Sequence, residues 1–179
     1  TSEYIIRDLN TGRFDFFCGG ITIPSRKIES ERLLRKGSNG IEFFTTQVLY
    51  DAKKIKKMLK YYDDICKKNE VLPRRILLSF APVSSKRNIE FLRWLGVEIP
   101  NETEERLENE NTNMTTESLD ISSEILKDVL KNNEKLGITV PIGLNVEHIM
   151  SYNFQYSINM LQELSKIYRE FCIKTSLYD

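Results

Sequence analysis

The residues best placed to do chemistry sit inside an apolar run. Gly40-Ile41-Glu42-Phe43-Phe44-Thr45-Thr46-Gln47-Val48-Leu49-Tyr50-Asp51 is mostly apolar, β-branched or aromatic, as a strand buried on both faces is. Thr45, Thr46 and Gln47 interrupt it. A buried amide costs free energy unless it finds hydrogen-bond partners. Gln47 is therefore engaged either by a network in the core or by a ligand. Asp51 then opens a helical pattern. A strand with polar residues near its C-terminal end, followed by a helix, is the arrangement that carries chemistry at the top of a β/α barrel. Other chemistries are poorly supplied. His148 is the only histidine, and Cys18, Cys66 and Cys172 have no metal-ligand spacing. No metal site is expected, a triad chosen from several histidines is unpromising, and three cysteines argue against a disulfide framework.

With 179 residues the chain can bury a real core, and a single domain over 1–179 is expected. Lys and Arg number 26 against 26 Asp and Glu, so the basic footprint of a nucleic-acid binder is missing. Lys53-Lys54-Lys56-Lys57 and Lys67-Lys68 share a helix with Asp63, Asp64 and Glu70, and read as a solvated face. The sequence has neither an apolar run long enough to span a membrane nor a signal-peptide pattern, so the expected setting is cytoplasmic. The chain starts at Thr1 without a methionine. A processed product and a portion of a longer protein are both consistent with that.

The elements that must position Gln47 follow from periodicity and punctuation. Helical spacing over 3–9 is broken at Thr11-Gly12. Phe14 to Ile23 reads as a strand in which Gly19-Gly20 marks close approach by a backbone or a ligand. A helix from about Lys27 to Lys36 stops at Gly37. The second strand covers about 41–49. Asp51 caps a helix facing inward with Ile55, Met58, Leu59, Tyr62 and Ile65. Arg75 to Phe80 is a third strand. Ser84 or Ser85 caps a helix whose Ile89, Leu92 and Leu95 point in. Residues 101–118 could pass for a polar linker, but two helices at about 102–110 and 116–136 are preferred, the second with an apolar face and Gly137 as its end. Val140 to Val146 is a fourth strand, and Ser151 begins a last helix. Strands alternating with helices imply a parallel sheet of right-handed β-α-β units. No glycine-rich phosphate loop follows any strand, which weighs against a dinucleotide-binding fold.

These blocks resemble the methylenetetrahydrofolate reductase family, flavin-dependent enzymes of (β/α)8 TIM-barrel type. The resemblance is carried by Glu31-Arg32-Leu33-Leu34-Arg35-Lys36 with Gly40, and by Phe43-Phe44-Thr45-Thr46-Gln47 ending in Asp51. Ser79-Phe80-Ala81-Pro82-Val83, the run Phe91 to Leu95 with Gly96-Val97-Glu98-Ile99-Pro100, and Gly143-Leu144-Asn145 extend it. It runs from about residue 13 to 165. In the family these blocks belong to strands five to eight. The resemblance thus implies an α/β fold with about four β/α units, the C-terminal half of a barrel that typically needs about 250 residues. The family's acidic catalytic residue and much of its flavin site would lie upstream of Thr1.

The implied activity is flavin-dependent hydride transfer to a folate-type one-carbon carrier, with FAD as cofactor and NAD(P)H as a candidate electron donor. Gln47 matches the glutamine that hydrogen-bonds the folate, and an amide can donate and accept at once, as a pterin edge requires. Lys36 matches a lysine near the flavin; its plainer role is to complement a helix dipole. Glu29 matches an acidic residue that binds the flavin's sugar portion, where Asp is usual. Gly19, Gly20 and Ile21 border the flavin, and Arg26, in a loop where the family carries a histidine, could contact a phosphate. Phe91 matches an aromatic on the folate or nicotinamide, with Leu92 the alternative by one register. Asn145 follows Leu144 as in the family's Leu-Asn-Arg motif, but Val146 replaces the arginine.

Three readings stay open. The chain is a folate-reducing half-barrel; or a non-catalytic module completing a barrel with an N-terminal half or an oligomeric partner; or a related flavin or pterin barrel acting on another one-carbon carrier.

Overall fold

The computed structural model describes residues 16–176, with side chains through 174. The helical pattern at 3–9, the break at Thr11-Gly12 and the start of the first expected strand lie outside the described residues. The elements run β1 (Gly19–Thr22), α1 (Glu29–Ser38), β2 (Phe43–Thr46), α2 (Ala52–Lys68), β3 (Arg75–Phe80), α3 (Lys86–Trp94), α4 (Asn101–Leu107), α5 (Met114–Leu136), β4 (Ile142–Val146), a 3-10 turn (Ser151–Asn153) and α6 (Phe154–Ser176). The four strands form one sheet in the order β1-β2-β3-β4. β1 pairs with β2 and β2 with β3 in parallel. This is the α/β architecture of the (β/α)8 barrel type, present here as four β/α units.

Its contacts divide the chain into two compact units. The first comprises the chain up to Gln47, Lys53–Leu78 and Asn133–Gly143, and the second Val48–Ala52, Ser79–Asn132 and Leu144 onward.

In the first unit the sheet has two unlike faces. Register places Gly20, Phe44 and Ile76 on one face and Gly19, Phe43 and Arg75 on the other. Thr22, Phe44, Thr46, Ile76 and Leu78 are buried on the first, whereas on the second Ile21 is 66% exposed and Phe43, Thr45 and Leu77 are only half-buried. The expectation of a β2 buried on both faces is corrected here. Right-handed crossovers place the connecting helices on one side of a parallel sheet, and in a closed barrel the other side is filled by side chains of further strands.

Helix α2 buries Ile55, Met58, Leu59, Tyr62 and Cys66. The 3.6-residue period carries the stripe from Tyr62 to Cys66, so Ile65 is half-buried instead of inward. Asp63, 1% exposed, fixes this helix to the segment before β4. Its Oδ1 accepts from the Thr139 amide (2.9 Å) and hydroxyl (2.7 Å), and its Oδ2 lies 2.6 Å from Lys67 Nζ. Burial pushes this carboxyl up, but the hydrogen bonds from Lys67 and Thr139 outweigh it and hold it below the usual range.

Two ends differ from the sequence reading. Helix α1 runs through Gly37 to Ser38, and Gly40, at φ 97°, makes the turn. Helix α3 ends at Trp94. Gly96 takes φ 80° and Val97 donates back to Leu92, so Val97 is buried in the second unit and Leu95 is 44% exposed. Ser85 occupies the N-cap of α3 without a side-chain bond, while Asn88 Oδ1 accepts from Ser84 N (2.9 Å) and Oγ (3.0 Å). Residues 101–118 are mostly helical, and Asn113 Oδ1 caps α5 through the amides of Thr115 (3.0 Å) and Thr116 (3.2 Å).

Candidate functional site

In the first unit the candidate residues gather around the end of β1. Thr22 Oγ1 donates to Glu29 Oε1 (3.0 Å), and the Ile23 amide donates to the same oxygen (3.1 Å). Glu29 is 2% exposed and forms a buried clamp between a strand end and a helix start. Its Oε2 has no hydrogen-bond partner; Arg32 Nε lies 3.5 Å away in a longer ion pair. Ile28, just before it, adopts φ 53°. That left-handed conformation is unfavourable for a β-branched side chain.

Lys36 reaches back along the strand and donates from Nζ to the Ile21 carbonyl at 2.8 Å. Arg26 is exposed, and its amide closes a turn on the Ile23 carbonyl at 3.0 Å. The two glycines of β1 meet protein. A Cβ on Gly19 would clash with the Phe43 ring at Cζ, and one on Gly20 would sit 3.1 Å from Phe44 Cδ1. Phe17 stacks on Phe43 with centroids 5.3 Å apart. The close approach announced by Gly19-Gly20 is thus made by aromatic rings of the neighbouring strand. Gln47 follows β2, half-buried, its backbone N–H donating to the Thr22 carbonyl at 2.8 Å.

In the second unit the polar groups gather at the ends of β3 and β4. Asn145 Nδ2 donates to Ser79 Oγ at 3.0 Å and to Glu147 Oε1 at 3.4 Å. The Glu147 amide donates to the Phe80 carbonyl at 2.8 Å. Burial pushes the Glu147 carboxyl up, with a hydrogen bond from Ser79 opposing. Tyr50 is buried beside it, donating to the Ala81 carbonyl at 3.0 Å; burial first and Glu147 second raise its hydroxyl above the usual phenol range. Phe91 is half-buried and stacks on Trp94 at 5.6 Å. His148 is exposed, its ring edge-on to Phe154 at 5.2 Å.

The loops beyond these strands are stapled together. Asn153 Nδ2 donates to the Pro82 carbonyl (3.2 Å) and to Asn88 Oδ1 (3.1 Å), and Asn88 Nδ2 donates to Tyr152 OH (2.6 Å). Ser84 Oγ lies 2.6 Å from Asn153 Oδ1. Such fully connected polar networks hold neighbouring backbone in one arrangement.

Sequence reasoning passed over Glu147 and gave Ser79 and Tyr50 no role. Its available signal was Asn145-Val146-Glu147, two polar side chains at the period-2 spacing that places them on one side of a strand. Among the described residues, no group of three or more His, Cys, Asp or Glu is placed to hold a metal ion, and no helix is long and apolar enough to cross a membrane.

A parallel sheet alternating with helices, with polar side chains at its C-terminal strand ends, defines an α/β protein of barrel type. The methylenetetrahydrofolate reductase family model matches residues 20–163, and the chain belongs to that family. No curated protein matches it. Among solved structures, it is similar to an uncharacterized protein from Clostridium thermocellum that binds two copies of 5-methyl-5,6,7,8-tetrahydrofolic acid. The TM-score is 0.78 at 25% identity, covering 93% of this chain and 58% of that one.

Proposed function

We propose that this chain is the C-terminal half of a methylenetetrahydrofolate reductase-like barrel, holding a folate-type one-carbon carrier for flavin-dependent hydride transfer. The observation that carries this reading is the family match over residues 20–163. The likeness to a structure that binds 5-methyltetrahydrofolate supports the folate half of it.

A bound flavin supplies the hydride, and the protein supplies position and polarity. One observation fits that group: the buried Glu29 Oε2 lacks a hydrogen-bond donor, and a sugar hydroxyl is a donor of suitable size. Glu29 Oε1 meanwhile keeps the end of β1 in place. Lys36 steadies the same strand through the Ile21 carbonyl. Gln47 presents an amide to the pterin, Phe91 an aromatic face and Asn145 a polar contact. Arg26 stands in the loop for a phosphate, NAD(P)H is the electron donor, and the setting is cytoplasmic.

The test is the visible spectrum of the purified 179-residue chain with and without FAD, followed by anaerobic reoxidation of the bound reduced flavin by methylenetetrahydrofolate. A bound-flavin spectrum and reoxidation are expected. Flavin binding without reoxidation would overturn the folate-reducing assignment and point to another one-carbon carrier.

A chain that binds no flavin would favour the second reading, a module that completes a barrel with a partner half. The half-open sheet face of the first unit favours it, with Ile21 66% and Phe17 73% exposed. In the second unit a groove of about 500 Å³ beside β4, lined by Leu144, Leu161 and Tyr168 among others, offers apolar surface of the same kind.

A further inference from the structure

Asn145 and Glu147 stand two residues apart at the C-terminal end of β4, joined by a hydrogen bond between their side chains. Asn145 commits its amide nitrogen inside the cluster, to Ser79 Oγ and to Glu147 Oε1. A carboxylate has about four lone-pair sites, and Ser79 and Asn145 are its two side-chain donors here. No Lys or Arg pairs with Glu147 among the described residues. The titratable neighbours are Tyr50, whose hydroxyl is spent on Ala81, and His148, whose ring is turned to Phe154. The hydrogen-bonding capacity that remains is that of the Asn145 carbonyl oxygen and the Glu147 carboxylate, all of it acceptor in kind. A half-buried carboxylate without a countercharge is costly until donors reach it.

The complement of two adjacent acceptors is a planar edge with two adjacent N–H donors. We propose that Asn145 and Glu147 form an acceptor pair that takes the 2-amino and N3–H edge of a reduced pterin. The pair flanks Val146, the position at which the resemblance places an arginine. This inference rests on the folate reading and adds to it a residue, Glu147, and a ligand edge. It also predicts a proton count. Burial keeps the Glu147 proton on to higher pH than in a free glutamate, and donors from a ligand draw it off, so binding releases a proton as pH falls toward that raised value.

The experiment is calorimetric titration of the full chain with 5-methyltetrahydrofolate, at mildly acidic and neutral pH, in two buffers of different ionisation enthalpy. The wild type is expected to bind and to release a proton that grows with acidity. Glu147→Gln is expected to bind about tenfold more weakly, the loss of one charge-assisted hydrogen bond, with no pH-dependent release. p-Aminobenzoylglutamate, which lacks the pterin, is expected to be insensitive to the substitution. Equal affinity and proton count for wild type and Glu147→Gln would overturn the acceptor pair while leaving the folate reading intact. A wild type that takes up no 5-methyltetrahydrofolate would overturn both. Should Glu147→Gln not fold, the buffer dependence of the wild type alone decides: a binding with no released proton at any pH overturns the pair.

Discussion

Glu29 and Glu147 are two carboxyls at strand ends, one in each unit, and they are solved differently. Glu29 is almost wholly buried, receives a hydroxyl and a backbone amide on one oxygen, and has an arginine nearby. Glu147 is half-buried and receives only neutral donors, Ser79 and Asn145. The first carboxyl commits one oxygen to holding the chain and leaves the other without a hydrogen-bond donor. The second receives no cation among the described residues to balance it. A carboxylate bound into local structure is expected to matter for stability, and one left uncompensated for binding.

The largest effect that would test this contrast is Glu29→Ala. It strands the Thr22 hydroxyl and the Ile23 amide in a buried place. A loss of about 3 kcal/mol in urea denaturation is expected from buried donors deprived of a charged acceptor. A loss below about 1 kcal/mol would show that Glu29 is not a clamp.

Asp63→Asn should cost about 2 kcal/mol at neutral pH, since Thr139 and Lys67 lose a charged acceptor. Its sign with pH is informative. A carboxyl held below its ordinary range stabilises the fold above its unfolded pKa and loses that contribution as pH falls through the folded one. The gap between wild type and Asp63→Asn is therefore expected to close on acidification, measured as the shift of the urea midpoint with pH. Ile28→Gly relieves a left-handed β-branched residue whose side chain is 67% exposed, and a gain of about 1 kcal/mol is expected in the same assay.

The smallest effect belongs to Glu147→Gln, and its sign is opposite to that of Asp63. Because the folded state holds the Glu147 proton more tightly than the unfolded one, stability drains away as pH rises through the folded pKa. The variant, which cannot ionise, is expected to match wild type in acid and to exceed it by up to about 1 kcal/mol at alkaline pH. A wild type that gained on the variant with rising pH would show Glu147 to be as well compensated as Asp63.

Strand β3 was legible to the residue, Arg75–Phe80, because a short apolar run stands between a loop and Ala81-Pro82. The helical character of 101–107 and 114–136 was also legible, that of the second through an apolar face that disordered polar segments lack. Strand ends were less so. Among the described residues β1 covers Gly19–Thr22, because apolar composition persists beyond the regular strand. Gly19-Gly20 announced a close approach, but not that Phe43 and Phe44 make it, since which ring lies over a glycine depends on strand register. Glu29 was found by resemblance, while its burial was invisible, because it comes from a Thr22 hydroxyl that folding brings to it. Glu147 was missed because a glutamate beside a turn is usually a surface residue. Its environment is made by Ser79 and Tyr50, from other strand ends.

Trp94, the sole tryptophan, is 77% exposed and stacked on Phe91. The tryptophan emission of this protein therefore comes from one indole already bathed in solvent. Unfolding will shift its emission little, so melting curves are better followed by circular dichroism. The same indole, excited at the red edge where tyrosine does not absorb, is a sensitive optical probe of whatever settles against Phe91, because quenching there has no second tryptophan to hide behind.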